Sequence, residues 1–190
     1  MKCSRTLFDG VRRLGGRPVA APSGYVRVRE VMRAHGAPLA GELSGHVFFD
    51  DGWDGADDAL YAAMRLIRAI SQGAGSLAEF RRRLPPTCAT PELRVSCPDG
   101  ARAGIVASIA RETLSEGLDA DLLDGVRVAT DSGWWLLRAA GSEPVLTLRC
   151  EASDPDGLEA LKRDLGARLA RHGVKVAGLQ QARPKPRRKR

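Results

Sequence analysis

The sequence predicts an α/β domain with a truncated, mixed sheet and helices, followed by a smaller α+β domain with an antiparallel sheet and two helices. Three observations predict this. Helical apolar periodicity alternates with short strand-like runs over residues 1–84. Pro85-Pro86-Thr87-Cys88-Ala89-Thr90-Pro91 then reads as an interdomain linker, residues 85–91, because proline withholds a backbone donor and fixes φ. Beyond it the pattern restarts in a β-α-β-β-β-α-β order over residues 92–178, with turn signals between the strands. The chain shows no internal repeat.

In the first domain, Ser4 is placed to cap a helix running to about Leu14, with Leu7, Phe8, Val11 and Leu14 on one face and Gly15-Gly16 stopping it. Lys2 stands just before that cap, at what would be the carboxyl end of a strand. Met1-Lys2-Cys3 is too short for a whole strand with its entry, so further chain is expected upstream. Arg17-Pro18-Val19-Ala20 suggests a short second strand and Pro22-Ser23-Gly24 a turn. A helix from Val26 to about Ala34 is closed by Gly36. Two apolar runs, Pro38-Leu39-Ala40 and Val47-Phe48-Phe49, flank a polar loop. Asp50 to Asp58 is a polar connection holding Trp53, with Asp57 placed to cap the next helix. In that helix Leu60, Met64, Ile67 and Ile70, joined by Ala63, form an apolar stripe expected to be a core face. A short helix from Ser76 to about Arg83 ends at Pro85-Pro86.

In the second domain, Glu92 to Ser96 alternates as a strand and Ala101 to about Glu116 is helical. Gly125 to Thr130, Trp134 to Leu137 and Val145 to Cys150 read as strands, the first two joined by a tight turn at Asp131-Ser132-Gly133. Leu158, Leu161, Leu165 and Leu169 mark a final helix ended by Gly173, with Val174-Lys175-Val176 as a further strand.

Composition narrows the function classes. A hydrophobic content of 43% suits a packed domain, and neither an 18-residue apolar run nor a signal sequence is present, so neither a membrane span nor secretion is expected. Cys3, Cys88, Cys97 and Cys150 lack a C-x-x-C spacing, and His35, His46 and His172 lie far apart. No metal site and no disulfide framework is expected from this chain, and a reducing cytoplasm is the expected location. Of the net charge of +7, six units belong to basic groups in the last ten residues, leaving +1 for the rest. Pro184 and Pro186 keep that tail extended, so residues 179–190 are expected to be a disordered basic tail. The tail suggests no specific nucleic acid; non-specific contact with polyanions is the alternative.

Two stretches carry chemistry. In Gly41-Glu42-Leu43-Ser44-Gly45-His46, an extended backbone would point Glu42 and Ser44 the same way, presenting an anionic acceptor and a hydroxyl suited to a polyol. The glycines allow close approach, and His46 adds a donor or a titratable group. An ordinary turn with a solvated glutamate fits the same composition. In Arg138-Ala139-Ala140-Gly141-Ser142-Glu143-Pro144, small residues leave backbone N–H groups able to converge on a phosphate. Arg138 supplies forked donors and Ser142 a hydroxyl. A plain hairpin with a surface arginine fits that loop equally well.

With both stretches in this order and about 95 residues apart, the chain resembles the C-terminal half of the α-D-phosphohexomutases, in their bacterial phosphomannomutase/phosphoglucomutase branch. The match runs through Lys2-Cys3-Ser4, Gly15 to Val19, Gly41 to Phe49, Asp57-Asp58, Thr90-Pro91-Glu92, Leu123 to Val128, Arg138 to Arg149 and Glu151-Ala152. The resemblance implies a four-domain enzyme in which a phosphoserine of domain one exchanges phosphoryl groups with a sugar phosphate through a bisphosphate, magnesium of domain two neutralising charge. Residues 1–84 would be most of domain three, gripping sugar hydroxyls through Glu42 and Ser44, with His46 in the same cleft and Lys2 near the reacting groups. Residues 92–178 would be domain four, holding the distal phosphate through Arg138, Ser142 and the amides of Ala139, Ala140 and Gly141. The implied substrate is a mannose or glucose 1- or 6-phosphate, and the implied partner an N-terminal half.

The sequence departs from the branch pattern at several points. Gly24-Tyr25-Val26 stands where a Gly-His-Ser is common, and Ala140 and Gly141 replace a serine and an asparagine of the phosphate loop. Removing a charge-assisted hydrogen bond from that loop weakens phosphate binding by about 1.5 to 3 kcal/mol. No Ser-His-Asn-Pro phosphoserine loop and no Asp-Gly-Asp-Gly-Asp metal loop occurs in the 190 residues, so the chain is expected to bind no magnesium itself and to be inactive without an N-terminal half. The leading expectation is half of such an enzyme, as a truncated product, an expression fragment or one piece of a split enzyme. A non-catalytic module that recognises hexose phosphates is the alternative.

Overall fold

A computed structural model of the chain describes residues 1–97, 100–141 and 143–179, and it divides into two compact units, Met1–Pro86 and a second beginning at Thr87. In the first unit, α1 (Arg5–Arg13) starts where Ser4 Oγ accepts the Thr6 N–H at 3.1 Å. The next helix, α2 (Tyr25–His35), ends at Gly36, whose φ of +57° glycine adopts without strain. β1 (Leu39–Gly41) and β2 (Val47–Phe49) form an antiparallel hairpin with Leu39 opposite Phe49. α3 (Ala59–Ala69) runs into a π-helical turn over Ile70–Ala74, and α4 (Leu77–Arg83) opens with a full capping box between Ser76 and Glu79.

Three expectations for this unit are corrected. Arg17 to Ala20 is not a strand: Pro18 removes a donor, and the segment finds no ladder partner among the described residues. Asp58, rather than Asp57, caps α3, accepting the Tyr61 N–H at 2.9 Å. The apolar stripe of α3 is not a core face, since Leu60, Met64 and Ile67 are 81%, 69% and 66% exposed. A neighbouring face of the helix meets β2 instead: Tyr61 packs edge-on to Phe49, and the Arg65 guanidinium lies 4.6 Å from the Phe49 ring centre. The buried core of the unit is Val28, Met32 and Phe48, with Ala21, Ala37 and Ala40 around it.

The second unit is a single antiparallel sheet backed by two helices. Its elements are β3 (Cys88–Ala89), β4 (Leu93–Ser96), α5 (Ala101–Ser115), β5 (Asp119–Asp121), β6 (Val126–Ala129), β7 (Gly133–Ala139), β8 (Val145–Ala152) and α6 (Pro155–Arg171). The strand order is β3-β8-β7-β6-β5, with β4 also paired to β8. Val126, Val128, Trp135, Leu137, Leu146, Leu148 and Cys150 point to one face by strand alternation and are buried with Ile109 of α5 and Leu161, Leu165 and Leu169 of α6. Polar ties join the two helices. Arg168 of α6 bonds Glu116 at the end of α5 at 2.6 Å and Arg171 bonds Glu112 at 2.6 Å, while within α6 Asp164 accepts from Arg168 at 3.0 Å.

Here too the structure departs from expectation. The proline-rich stretch is not wholly irregular: Cys88 and Ala89 pair with Ala152 and Glu151, and Thr90 exchanges bonds with Cys150 through both backbone and hydroxyl. The prolines stand outside the two residues that pair. Val174 to Val176 forms no strand, because the Val174 N–H closes the end of α6 on Leu169 and the chain then turns through a 3-10 helix at Ala177–Leu179. Leu179, assigned to the tail, is buried in this core, and the rest of the tail, 180–190, lies outside the described residues. Burial pushes the Cys150 thiol up to about 12.

Two outcomes follow from this packing. At Gly133 an added Cβ would meet the Glu151 carbonyl oxygen at 2.0 Å, so Gly133→Ala should cost at least about 2 kcal/mol, read as a lower midpoint of unfolding by fluorescence of Trp134 and Trp135. Equal midpoints would contradict the close approach of β7 and β8. The Arg171 guanidinium, followed by His172, holds the Glu112 carboxyl below its ordinary 4.5. A carboxyl depressed in the folded state contributes stability above the ordinary value and loses it as pH falls through the folded one. The midpoint should therefore drop on acidification below about pH 4.5, and Glu112→Gln should reduce that drop.

Candidate functional site

In the first unit the polar loop is a tight turn. The Glu42 N–H donates to the His46 carbonyl at 2.9 Å and the Gly45 N–H to the Glu42 carbonyl at 3.0 Å, with Gly45 at φ +93°. The extended backbone expected for Glu42 to Ser44 is thus replaced by a turn, so strand alternation does not align the two side chains. Glu42 turns its carboxylate to the start of α2, where Oε1 accepts the Gly24 N–H at 2.9 Å. A carboxylate at a helix N-terminus is held by the unsatisfied amide and by the helix dipole. Ser44 is exposed at the turn.

His46 closes the loop from the other side. Its Nδ1 bonds the Asp57 carboxylate, and an antiparallel bridge between Asp57 and Phe48 fixes Asp57 beside β2. A carboxylate only accepts, so His46 donates through Nδ1 and keeps Nε2 as the basic atom of the neutral ring. Tyr25, next to Gly24, packs its ring 5.7 Å from Phe48 and receives an Arg29 bond at 3.0 Å on its hydroxyl. Lys2 is half-buried ahead of α1, and the neighbouring Met1 amino group donates to the Ala21 carbonyl at 3.1 Å. Glu42, Ser44 and His46 share one loop, whereas Lys2 belongs to a separate segment.

In the second unit the candidate phosphate loop joins β7 to β8. Arg138 and Ala139 are the last residues of β7, opposite Thr147 and Leu146. The Ala140 amide does not point into a free concavity as expected, because it donates to the Val145 carbonyl at 3.0 Å and closes the hairpin. Gly141 is exposed, and Ser142 lies outside the described residues. Arg138 is not a surface cation: its Nη2 donates to Asp124 Oδ1 at 3.3 Å and its Nε lies 3.2 Å from Oδ2, with both side chains largely buried. Gly125 brings Asp124 there. Its φ is +91°, and a Cβ would meet the Leu137 carbonyl oxygen at 2.3 Å and Arg138 Cβ at 2.7 Å.

Sequence reasoning missed Asp57 as the partner of His46 and Asp124 as the partner of Arg138. A signal for the first was the doublet Asp57-Asp58, since one helix needs only one cap. It also missed Thr147 and Arg149, which share the sheet face of Arg138; Thr147 Oγ1 and Arg149 Nε are buried without a hydrogen-bond partner among the described residues. The signal there was a polar alternation inside an otherwise apolar strand. Among the described residues no group of three or more His, Cys, Asp or Glu side chains is arranged for a metal ion, and no helix is long and apolar enough to cross a membrane.

Comparison with known proteins gives these two loops a setting. Residues 1–88 match the family model of phosphoglucomutase/phosphomannomutase alpha/beta/alpha domain III, and residues 92–167 that of the phosphoglucomutase/phosphomannomutase C-terminal domain. A phosphomannomutase/phosphoglucomutase of Pseudomonas aeruginosa is 37% identical over 162 residues, 85% of this chain and 35% of that protein. A phosphoglucomutase of Neisseria gonorrhoeae is 34% identical over 164 residues, again 85% of this chain and 35% of that one. The crystal structure of a phosphoglucomutase/phosphomannomutase family protein from Burkholderia thailandensis superposes with a TM-score of 0.80 at 34% identity, covering 92% of this chain and 37% of that one. The chain thus spans about a third of the length of the curated relatives it matches. With two consecutive domains of one family accounting for nearly all of its described fold, this chain belongs to the phosphoglucomutase/phosphomannomutase family and corresponds to its C-terminal half.

Proposed function

We propose that this chain supplies the sugar-binding and distal-phosphate-binding half of a phosphohexomutase that interconverts mannose or glucose 1-phosphate and 6-phosphate through a bisphosphate. The observation that carries this reading is the hairpin loop secured at both ends, Glu42 against Gly24 and His46 against Asp57. In this reading Glu42, with one carboxylate oxygen remaining, accepts from sugar hydroxyls, and the Ser44 hydroxyl joins it. His46 Nε2 takes the proton of the hydroxyl that becomes phosphorylated, while Asp57 holds the ring and balances the imidazolium. Lys2 contributes positive charge near the transferred group.

The phosphate that is not transferred is assigned to Arg138, Ala139, Gly141 and Ser142. Asp124 accepts from Nη2 of Arg138 and lies within ion-pair distance of Nε, and the phosphate oxygen is assigned to Nη1. With the Ala140 amide spent on the hairpin, the loop contributes fewer donors than its length suggests. Magnesium in the complete enzyme would neutralise phosphoryl charge. The described residues offer no cluster that fits a divalent ion, so its ligands are assigned to an N-terminal half. The isolated chain should bind hexose phosphate without turning it over. Binding as its whole role is not favoured, since the relatives are named as mutases. Four free cysteines suit a reducing cytoplasm.

The test is conversion of glucose 1-phosphate to glucose 6-phosphate by the chain alone and with the N-terminal remainder of the Pseudomonas relative. Turnover is expected only from the mixture. In it, His46→Ala should lower kcat at least about a hundred-fold, and Asp57→Asn should lower it less while shifting the pH profile. Arg138→Ala should chiefly raise KM. Activity from the chain alone, or a His46→Ala mixture as active as the original, would overturn the assignment.

A further inference from the structure

The connection between β2 and α3 leaves the strand after Phe49 and returns beside it at Asp57, which bridges Phe48. A polar, glycine-containing excursion of this kind is ordinarily among the looser parts of a fold. Here it is pinned on both flanks. On one, Arg65 of α3 donates through Nη1 and Nη2 to the two carboxylate oxygens of Asp51, both at 2.7 Å, as a fork meeting a fork. The same guanidinium lies over the Phe49 ring and donates to the Tyr61 hydroxyl at 3.1 Å. Trp53, inside the connection, stacks on the Tyr61 ring with centroids 4.4 Å apart and planes within 6°. On the other flank Arg29 of α2 donates to the Asp54 carbonyl at 2.6 Å. The buried Gly55 then closes the loop with its N–H on the Phe49 carbonyl at 2.8 Å. Asp57, the carboxylate that meets His46, follows two residues later.

We propose that Arg65 is a positioning residue for His46: by clamping Asp51 it fixes the connection that carries Asp57, and so keeps the ring proton on Nδ1 and Nε2 basic. Which ring nitrogen carries the proton is set by the hydrogen bond the ring makes, so a displaced Asp57 would release the tautomer. Among the described residues Arg65 has no hydrogen bond to Glu42, Ser44 or His46, and its effect on that loop passes through the connection. An isolated surface ion pair does little. This one differs in being bidentate and in resting on an aromatic face, and the Arg65 hydrogen bond holds the Asp51 carboxyl below its ordinary 3.8, so both partners stay charged. The inference rests on the proposed role of His46 as the base and adds what holds that base in its reactive form.

Nitrogen-15 NMR of the histidine rings in the full 190-residue chain, in mildly alkaline buffer, reads the tautomer, with His46→Gln identifying the signal. The His46 ring should carry its proton on Nδ1. In Asp51→Asn and in Arg65→Gln it should shift toward the Nε2–H form that neutral imidazole favours in water, and the double variant should shift no further than either single one. Arg65→Lys, which keeps the charge and loses the fork, should lie between. Unchanged methyl signals of Val28 and Met32 show that the core of the first unit is intact; should they collapse in Arg65→Gln, Asp51→Asn on the exposed loop decides. In the mixture with the N-terminal remainder of the Pseudomonas relative, Arg65→Gln should lower kcat about ten-fold with KM within about two-fold. Three outcomes would overturn the proposal: a ring protonated on Nε2 in the original chain, a ring unchanged by both single substitutions, or full kcat in Arg65→Gln. If the original mixture does not turn over, the proposed function falls, and the ring signal still decides whether Arg65 places Asp57.

Discussion

The second unit depends on the register of β7 with β8. Seven consecutive pairs, from Gly133 opposite Ala152 to Ala139 opposite Leu146, set which side chains of both strands face the helices. Because the side-chain period is two, a slip of one residue would turn Leu137 outward and Arg138 into the core. The register is fixed at one end by Gly133, which lies close against the Glu151 carbonyl, and at the other by the short turn through Gly141. β8 also carries β3 and β4, so the proline-rich segment is tied to the same strand that orients the candidate phosphate loop.

In the first unit, the proposed function and the scaffolding draw on the same atoms. Glu42 is the proposed acceptor for sugar hydroxyls, yet one of its oxygens already secures the start of α2. Arg138 repeats the pattern in the other unit, held by Asp124 on one side of its fork. Such sharing restricts rotamers before a ligand arrives, which reduces the ordering cost of binding. It also means that substitutions at these positions alter local structure along with chemistry.

Much of the fold was legible because helix ends are written locally. Ser4, Ser76 with Glu79, and Gly36 each sit within one turn of the amides or carbonyls they satisfy. The strand-like runs on either side of the Gly41–His46 loop and the strands β6 to β8 were legible from alternation and turn residues, whereas the tight turn at Gly45 was not. What sequence could not supply were pairings over distance. His46 meets Asp57, and Arg138 meets Asp124 where Gly125 lets the turn before β6 lie close against Leu137 and Arg138 of β7. The stripe on α3 shows a different limit, since periodicity identifies a face that seeks cover without saying whether the described chain provides it. Val174 to Val176 had strand composition, but closing α6 on Leu169 took its leading amide.

The four thiols fall into two chemical classes. Cys97 and Cys150 are sealed inside the second unit, and Cys150 stays protonated at any physiological pH, which deprives oxidants and electrophiles of a nucleophile beside the central strands. Cys3 and Cys88 are only half covered. The accessible thiols are therefore the one adjoining Lys2 and the one on the short edge strand β3, while Cys150 in the interior of the sheet is shielded.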